Sequence, residues 1–304
     1  MVMTSWPRFL SLDRWNRRSR TLLPFLLWAP VLTSCGWLPL PSPAPLLYVP
    51  FSVEGVPQEP AFIDTGGDFE VLLKENLHLA IIGEAPVLAF NGIELLSITE
   101  GFAYEAGGIR GTAPYAIVGL SACQCNGLGV HFLRKSGKVL RIDFSSNSAT
   151  FVPELPDGGV YIPFDPPPAR LSEFRSSFVT VGLGLGREPP PRESALPVRA
   201  LLDTGARATV IRRDVVEELG SPLPDFVEVT IGLDGLGTLL ATVSLFDGAE
   251  LPDLILGTDA MRAWGSEWHF SFGSLGGSIV AFPKTPPENT GASSDFRNRR
   301  TIQR

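Results

Sequence analysis

Short apolar runs separated by glycine, proline and polar turn residues dominate the chain between residues 46 and 283. Runs of about four to eight residues bounded by such turn signals are typical of strands, whereas helices need longer stretches of 3.6-residue periodicity. Glycine (31 residues) and proline (28) are abundant and only 19% of residues are charged. This balance favours strands joined by turns over long surface helices, and it predicts an all-β body.

One order of features occurs twice along this body. Each copy begins with a strand-like run, at 47–53 in the first and at 178–181 in the second. A further apolar run follows in each copy and leads into an aspartate. The tripeptide aspartate, threonine, glycine follows in both copies, as Asp64, Thr65, Gly66 and as Asp203, Thr204, Gly205. The two aspartates are 139 residues apart. A repeat of this length indicates an internal duplication.

Matching landmarks follow each tripeptide. The dipeptides Asn91-Gly92 and Asp234-Gly235 start 27 and 31 residues beyond their aspartates. Both dipeptides favour type I′ hairpin turns, because their residues tolerate positive φ. An apolar pair ending in glycine comes next, at Gly119 and Gly257, which lie 55 and 54 residues beyond the aspartates. A lone Asp-Thr-Gly is more often an ordinary turn, but two copies in matched settings favour a shared function.

The duplication defines the predicted domain boundaries. We expect an N-terminal lobe at 46–154 and a C-terminal lobe at 172–283, with a proline-containing linker at 155–171. Each lobe ends in a pair of apolar strands. Residues 284–304 are polar and lack periodicity, so we expect a disordered tail.

The first 35 residues have the pattern of an export signal. Residues 1–20 carry five arginines against one aspartate, and an apolar run of twelve follows at 21–32. That run is shorter than the about 20 residues that span a bilayer, and basic-then-apolar order is typical of a secretory signal. The sequence Leu-Thr-Ser-Cys at 32–35 resembles a bacterial lipobox, which predicts lipid attachment at Cys35. A plain signal peptide with an incidental cysteine is the alternative.

The predicted anchor sets the expected location. Multiple acyl chains on Cys35 would hold the protein stably on a membrane, and residues 36–45 are rich in proline, as in a stiff tether. We therefore expect a lipid-anchored protein of the bacterial cell envelope that faces the periplasm or the exterior.

Charge and cysteine content exclude several classes of function. The formal net charge is −7, with the positive charge concentrated at the two ends, which argues against a nucleic-acid partner. The three cysteines and three histidines match no zinc-site spacing, so we predict no metal and no cofactor. Cys123 and Cys125 are either paired with each other or free thiols, and neither is expected to be catalytic.

The twice-occurring order of apolar pair, Asp-Thr-Gly, hairpin, apolar pair and glycine resembles the retropepsin and pepsin clan of aspartic peptidases. The resemblance covers nearly all of residues 46–283, although only the motifs are close. It implies two retropepsin-like β-barrel lobes related by pseudo-two-fold symmetry. It also implies an active-site cleft between the lobes, covered by one or two hairpin flaps.

The resemblance implies that Asp64 and Asp203 are the catalytic pair. Two carboxylates within hydrogen-bonding reach cannot both ionise cheaply, so they share one proton. The ionised acid would act as general base on a water molecule, while the protonated acid would hydrogen-bond the scissile carbonyl. Because the proton belongs to the pair, the sequence does not assign acid and base between them.

The resemblance also implies supporting roles around the pair. Thr65 and Thr204 are expected to hydrogen-bond across the lobe interface. Gly66 and Gly205 are expected to let the backbone approach the carboxylates. The expected flap tips are Asn91 and Gly92 in the first lobe and Asp234 and Gly235 in the second. Many family members have serine or threonine after the glycine, whereas this chain has Gly67 and Ala206. Alanine is normal for the retroviral type, but Gly67 is less usual and predicts a softer first loop.

The sequence therefore predicts an aspartic endopeptidase with a peptide or protein substrate and a monomeric body. The main alternative is a catalytically weak or inactive relative, a lipoprotein that binds peptides in the same cleft. A serine hydrolase at 119–121 lacks the second glycine and the histidine that its motif requires. A dinucleotide site at 182–186 has the wrong glycine spacing.

Overall fold

The computed structural model describes residues 46–72, 78–89, 92–119, 125–171, 177–186, 195–220, 226–248, 251–273 and 276–284. Of these residues 11% are helical and the regular structure is otherwise strand, which confirms the predicted all-β class. Among the described residues, the helices are all too short or too polar to cross a membrane. The predicted export signal, Cys35, the tether and nearly all of the predicted tail lie outside these residues.

The described strands before residue 130 form one nine-stranded sheet, in the order β4-β5-β8-β3-β9-β2-β1-β6-β7. Burial alternates along β1 and β6, as expected for strands that pack one face on a core. A short helix, α1, follows β9. The elements are β1 (Tyr48–Val53), β2 (Val56–Ile63), β3 (Val71–Leu72), β4 (Ile81–Ala89), β5 (Gly92–Thr99), β6 (Phe102–Ala106), β7 (Ile109–Ala113), β8 (Ile117–Val118), β9 (Asn126–Leu128) and α1 (Val130–Ser136).

The described strands after residue 136 form a closed six-stranded barrel, β13-β14-β18-β15-β17-β16, and a five-stranded sheet, β11-β10-β19-β20-β12. A short 3-10 helix at Ala169–Leu171 precedes β13. The elements are β10 (Val139–Asp143), β11 (Ser148–Val152), β12 (Val160–Pro163), β13 (Phe178–Leu185), β14 (Leu196–Leu202), β15 (Val210–Arg212), α2 (Arg213–Glu218), β16 (Phe226–Leu233), β17 (Gly237–Phe246), β18 (Leu254–Leu256), α3 (Thr258–Trp264), β19 (Gly265–Phe272) and β20 (Gly277–Pro283).

The five-stranded sheet joins the two halves of the repeat. Strands β10 and β19, one from each half, pair in antiparallel fashion with Leu140 opposite Phe270 and Ile142 opposite Trp268. All four side chains are fully buried. Strand β12 lies inside the segment predicted as a linker and pairs with β20. Because both halves contribute to one hydrogen-bonded sheet and one core, their relative position is fixed.

An equivalent pair of parallel strands supports each Asp-Thr-Gly loop. Strand β2 pairs with β9, placing Ile63 beside Leu128, and strand β14 pairs with β18, placing Leu202 beside Leu256. A glycine follows each short strand and caps the next helix, Gly129 before α1 and Gly257 before α3. The structural counterpart of Gly257 is therefore Gly129.

The predicted correspondence between Gly119 and Gly257 is wrong. Gly119 follows β8, whose Ile117 pairs with Val71 of β3. In the second half, the same position beside β15 is taken by the end of the continuous strand β17. The first half has the hairpin β6–β7 between β5 and β8, and this extra length brings an unrelated apolar pair and glycine to the expected spacing.

The hairpin β6–β7 also changes how the first lobe closes. In the barrel, β13 pairs with β16, so the hairpin β16–β17 is built into the wall. In the first lobe, β1 pairs instead with β6. The hairpin β4–β5 therefore lies at the end of the nine-stranded sheet, and β4 is the outermost strand.

The turn at Asp234-Gly235 differs from the prediction. Gly235 has a φ of 83°, whereas Asp234 is not among the described non-glycine residues with positive φ. The amide of Leu236 donates to the carbonyl of Leu233 at 3.0 Å. Positive φ at the second central position alone is the pattern of a type II turn, not type I′. Gly235 packs against Val160 of β12, so this turn is a contact with the five-stranded sheet and not a free flap tip.

Candidate active site

Asp64 and Asp203 lie side by side although 139 residues separate them. Each follows the last residue of a buried strand, and its amide donates at 3.0 Å to the neighbouring short strand, Asp64 to Leu128 and Asp203 to Leu256. The two carboxyl groups hydrogen-bond each other. Both residues are only partly exposed.

The backbone holds each carboxyl group in the same way. Oδ1 of Asp64 accepts hydrogen bonds from the amides of Gly66 at 2.9 Å and Gly67 at 2.8 Å. Oδ1 of Asp203 accepts hydrogen bonds from the amides of Gly205 at 2.7 Å and Ala206 at 3.1 Å. Four amide donors therefore orient the pair before any ligand binds.

The two threonines link the loops across the pseudo-two-fold axis. The hydroxyl of Thr65 donates to the carbonyl of Leu202 at 2.7 Å, and the hydroxyl of Thr204 donates to the carbonyl of Ile63 at 2.6 Å. Each hydroxyl also accepts the amide of the opposite threonine. Both threonines are fully buried, so water does not compete for these bonds. The structure thus brings together all six residues of the two tripeptides.

Ser177 adds a contact that the sequence did not indicate. Its fully buried hydroxyl donates to the carbonyl of Leu202 at 2.6 Å and lies 3.3 Å from the carbonyl of Thr65. Leu47 holds the equivalent position in the first half, because the carbonyls of Leu47 and Ser177 accept the amides of Ile63 and Leu202 respectively. A single serine before an apolar strand carries no distinctive pattern, so sequence reasoning missed it.

Glycines are required around the pair because the backbone approaches the carboxyl groups closely. A Cβ on Gly66 would overlap the carboxyl carbon of Asp203, and a Cβ on Gly205 would lie 2.8 Å from that of Asp64. A Cβ on Gly67 would lie 2.6 Å from Oδ2 of Asp64. The unusual Gly67 is therefore explained by contact distance, since its φ is not in the left-handed region.

Burial and mutual repulsion shift the titration of both acids. Burial raises the pKa of Asp64 above 3.8, against the lowering effect of its hydrogen bonds to Asp203 and the loop amides. Burial, and then the charge and hydrogen bond of Asp64, raise the pKa of Asp203 well above 3.8. The pair therefore retains one proton at pH values where isolated aspartates are fully ionised.

Of the remaining predicted positions, the structure describes only some. Gly92 is the first residue of β5 and pairs with Ala89, while Asn91 lies outside the described residues. Cys125 is disulfide-bonded, and Cys123 lies outside the described residues. Within the described ranges, no group of three or more histidine, cysteine, aspartate or glutamate side chains is placed to hold a metal ion.

Comparison with known proteins supports the fold. Neither a protein-family model nor a curated protein matches this sequence. The structure is similar to the crystal structure of the aspartic proteinase from Irpex lacteus, with a TM-score of 0.52 and 11% sequence identity. The match covers 79% of this chain and 95% of that chain. The chain therefore has a pepsin-like, two-lobed all-β fold, which confirms the predicted fold class.

Proposed function

We propose that the protein is an aspartic endopeptidase that hydrolyses peptide bonds with water activated between Asp64 and Asp203. The observation that carries this proposal is the hydrogen-bonded carboxyl pair, partly open to solvent and held by four backbone amides. Ordinary turn aspartates do not meet in this way, and an uncompensated carboxyl pair would be costly to bury.

The chemistry follows from the shared proton. The ionised carboxylate takes a proton from the bound water while the water oxygen attacks the scissile carbonyl carbon. The protonated acid donates its proton to the carbonyl oxygen. The resulting tetrahedral diol breaks down when a proton passes to the departing amine. Each proton taken is returned, so the pair ends with one proton. The threonine cross-links keep the two acids in register through this cycle.

The β4–β5 hairpin is the proposed site of peptide docking. Strand β4 lies at the end of the nine-stranded sheet, and an extended peptide binds a sheet edge through main-chain hydrogen bonds. Ile81, Ile82 and Leu95 of this hairpin are at least half exposed. These apolar side chains are available to cover a substrate, so the hairpin is the better of the two predicted flaps.

We further propose that the mature protein is attached to the cell envelope by lipid at Cys35, with its cleft facing the periplasm or exterior. The lipobox-like sequence at 32–35 after a basic and apolar leader supports this proposal. The test is the membrane content of the parent and of Cys35→Ser. Equal processing and equal membrane retention of the variant would contradict it.

The proposed activity is tested with the full-length protein and a peptide library from acidic to neutral pH. Asp64→Asn and Asp203→Asn should each abolish cleavage, and a pepstatin-type inhibitor should block the parent. Cleavage that survives both substitutions would refute the mechanism. Peptide binding without cleavage by the parent would instead identify a non-catalytic relative, an outcome that the conformational freedom of Gly67 favours.

A further inference from the structure

A buried glutamate and a histidine connect the first active-site loop to helix α1. Glu70, six residues after Asp64, has a side chain only 2% exposed. Its carboxylate oxygens lie 3.1 and 3.3 Å from Nδ1 of His131, the second residue of α1, and the imidazole is 32% exposed. A carboxylate buried to this extent needs a hydrogen-bond donor or a positive charge, and His131 supplies one.

The backbone reinforces this connection. The amides of Val130 and His131 donate to the carbonyls of Gly67 and Asp68 at 2.7 and 3.1 Å. Gly67 also donates its own amide to Asp64. The start of α1 is therefore bonded to the residues that orient the catalytic carboxyl, and the pair of Glu70 and His131 closes the far end of that loop.

The second lobe makes the same connection with different chemistry. Thr209 lies six residues after Asp203, and Asp259 is the second residue of α3. The hydroxyl of Thr209 donates to Oδ1 of Asp259 at 2.7 Å, and its amide donates to Oδ2 at 3.0 Å. The acid is on the helix in this lobe and on the loop in the first lobe. Recurrence at symmetry-related positions shows that both loops are tied at this point.

We propose that Glu70 and His131 are positioning residues for Asp64, as Thr209 and Asp259 are for Asp203. In the first lobe the pair is bonded to the loop that contains Gly67. Gly67 occupies the position of Ala206, and glycine loses more conformational freedom than alanine when it is ordered. Both pairs contain a hydrogen bond to a carboxylate, which is roughly twice as strong as a neutral one, and in the first lobe this bond offsets the freedom of Gly67.

The charge of Glu70 contributes to raised pKa values at two tyrosines. Burial, and then the charge of Glu70, raise the pKa of Tyr104 to about 12. Burial, and then the charges of Glu70 and Asp68, raise the pKa of Tyr115. The charge of Glu70 therefore acts on β6 and on the segment before β8 as well as on His131 of α1.

The test compares hydrogen exchange at the two loops. His131→Leu removes the donor, whereas His131→Asn keeps a donor close to the place of Nδ1. We expect His131→Leu to speed exchange of the Gly66 and Gly67 amides about tenfold or more, with the Gly205 and Ala206 amides unchanged. His131→Asn should restore most of the protection. The matched control, Thr209→Val, should loosen the second loop and leave the first unaffected.

A double variant decides the case if His131→Leu does not fold. Glu70→Thr with His131→Asp transplants the second-lobe pair, and we expect this protein to fold with both loops protected. Exposed first-loop amides in the folded double variant would overturn the proposal. Equal acceleration at both loops in His131→Leu would also overturn it, because that result indicates general loosening.

The activity measurement rests on the proposed function. If the protein is a peptidase, His131→Leu should lower kcat roughly tenfold and change KM less than twofold. His131→Asn should recover most of kcat. If the parent cleaves nothing, the proposed function fails, while the exchange measurement still decides whether Glu70 and His131 order the loop of Asp64.

Discussion

Thr65 and Thr204 are cross-linked in both directions, because the amide of each donates to the hydroxyl of the other at 3.0 Å. The same hydroxyls donate to the carbonyls of Leu202 and Ile63, which end the strands of the opposite lobe. Each threonine thus fixes the strand that delivers the other lobe's aspartate.

Thr204→Val should destabilise the protein by about 2–6 kcal/mol, because the buried amide of Thr65 and carbonyl of Ile63 each lose a partner at about 1–3 kcal/mol. Valine has nearly the same shape, so packing is preserved. Thr204→Ser retains the hydroxyl and is the matched control. Denaturant unfolding measures both, and an equal loss of stability in the two variants would count against the cross-link.

Asp203→Asn should change how stability depends on pH. The folded pKa of Asp203 is raised well above 3.8, so the native state keeps a proton that the unfolded chain releases. That stability is present below 3.8 and is lost as pH rises through the raised folded value. Asparagine stays neutral, so the melting temperature of the variant should gain on the parent as pH rises across this window.

Melting curves at several pH values on either side of 3.8 test the shared proton. The melting temperature of the variant minus that of the parent should be lowest at the lowest pH and should rise with pH. A constant difference across the whole range would mean that Asp203 does not hold the raised pKa in the folded protein.

Gly66→Ala should strongly reduce cleavage, because the new Cβ would overlap the carboxyl carbon of Asp203. Displacing a catalytic group by about 1 Å costs on the order of a hundredfold in rate. Gly276→Ala is the control, since nothing lies within 4 Å of its added Cβ and its φ is not positive. Steady-state kinetics on one peptide compares the three proteins, and full activity in Gly66→Ala would contradict the observed contact.

The two hairpins should respond differently to substitution. Gly235→Ala strains a residue with a φ of 83° and crowds Val160, so it should cost about 1–2 kcal/mol of stability and leave KM unchanged. Leu95→Ser on β5 should raise KM with little loss of stability, because Leu95 is largely exposed. Thermal melts and peptide kinetics separate the two effects. A raised KM in Gly235→Ala would indicate that the β16–β17 hairpin also acts as a flap.

The sequence predicted the features that are local and repeated. Asp64 and Asp203 were identified because each follows an apolar strand and precedes threonine and glycine, so one short pattern specifies a turn at a strand end. The strand content was equally accessible, since apolar runs bounded by turn residues need no knowledge of distant partners.

Long-range pairing was not accessible from local pattern. The sequence matched Gly119 to Gly257 because spacing alone cannot reveal that β6–β7 is an added hairpin that takes the place beside β1. Glu70 and His131 were missed for a related reason: 61 residues separate them, and in the second lobe their positions hold Thr209 and Asp259. Symmetry of position without identity of residue is visible only in three dimensions.

The five-stranded sheet has a consequence for chain integrity. Strands β10 and β11 belong to the first half of the sequence and pair with each other, yet β10 also pairs with β19, while β12 lies beyond β11 and pairs with β20. A nick in the segment between β11 and β12 would leave two fragments that still share a continuous ladder and one hydrophobic core. The severed protein should therefore remain associated as a heterodimer, and fragments expressed apart should need each other to become soluble and ordered.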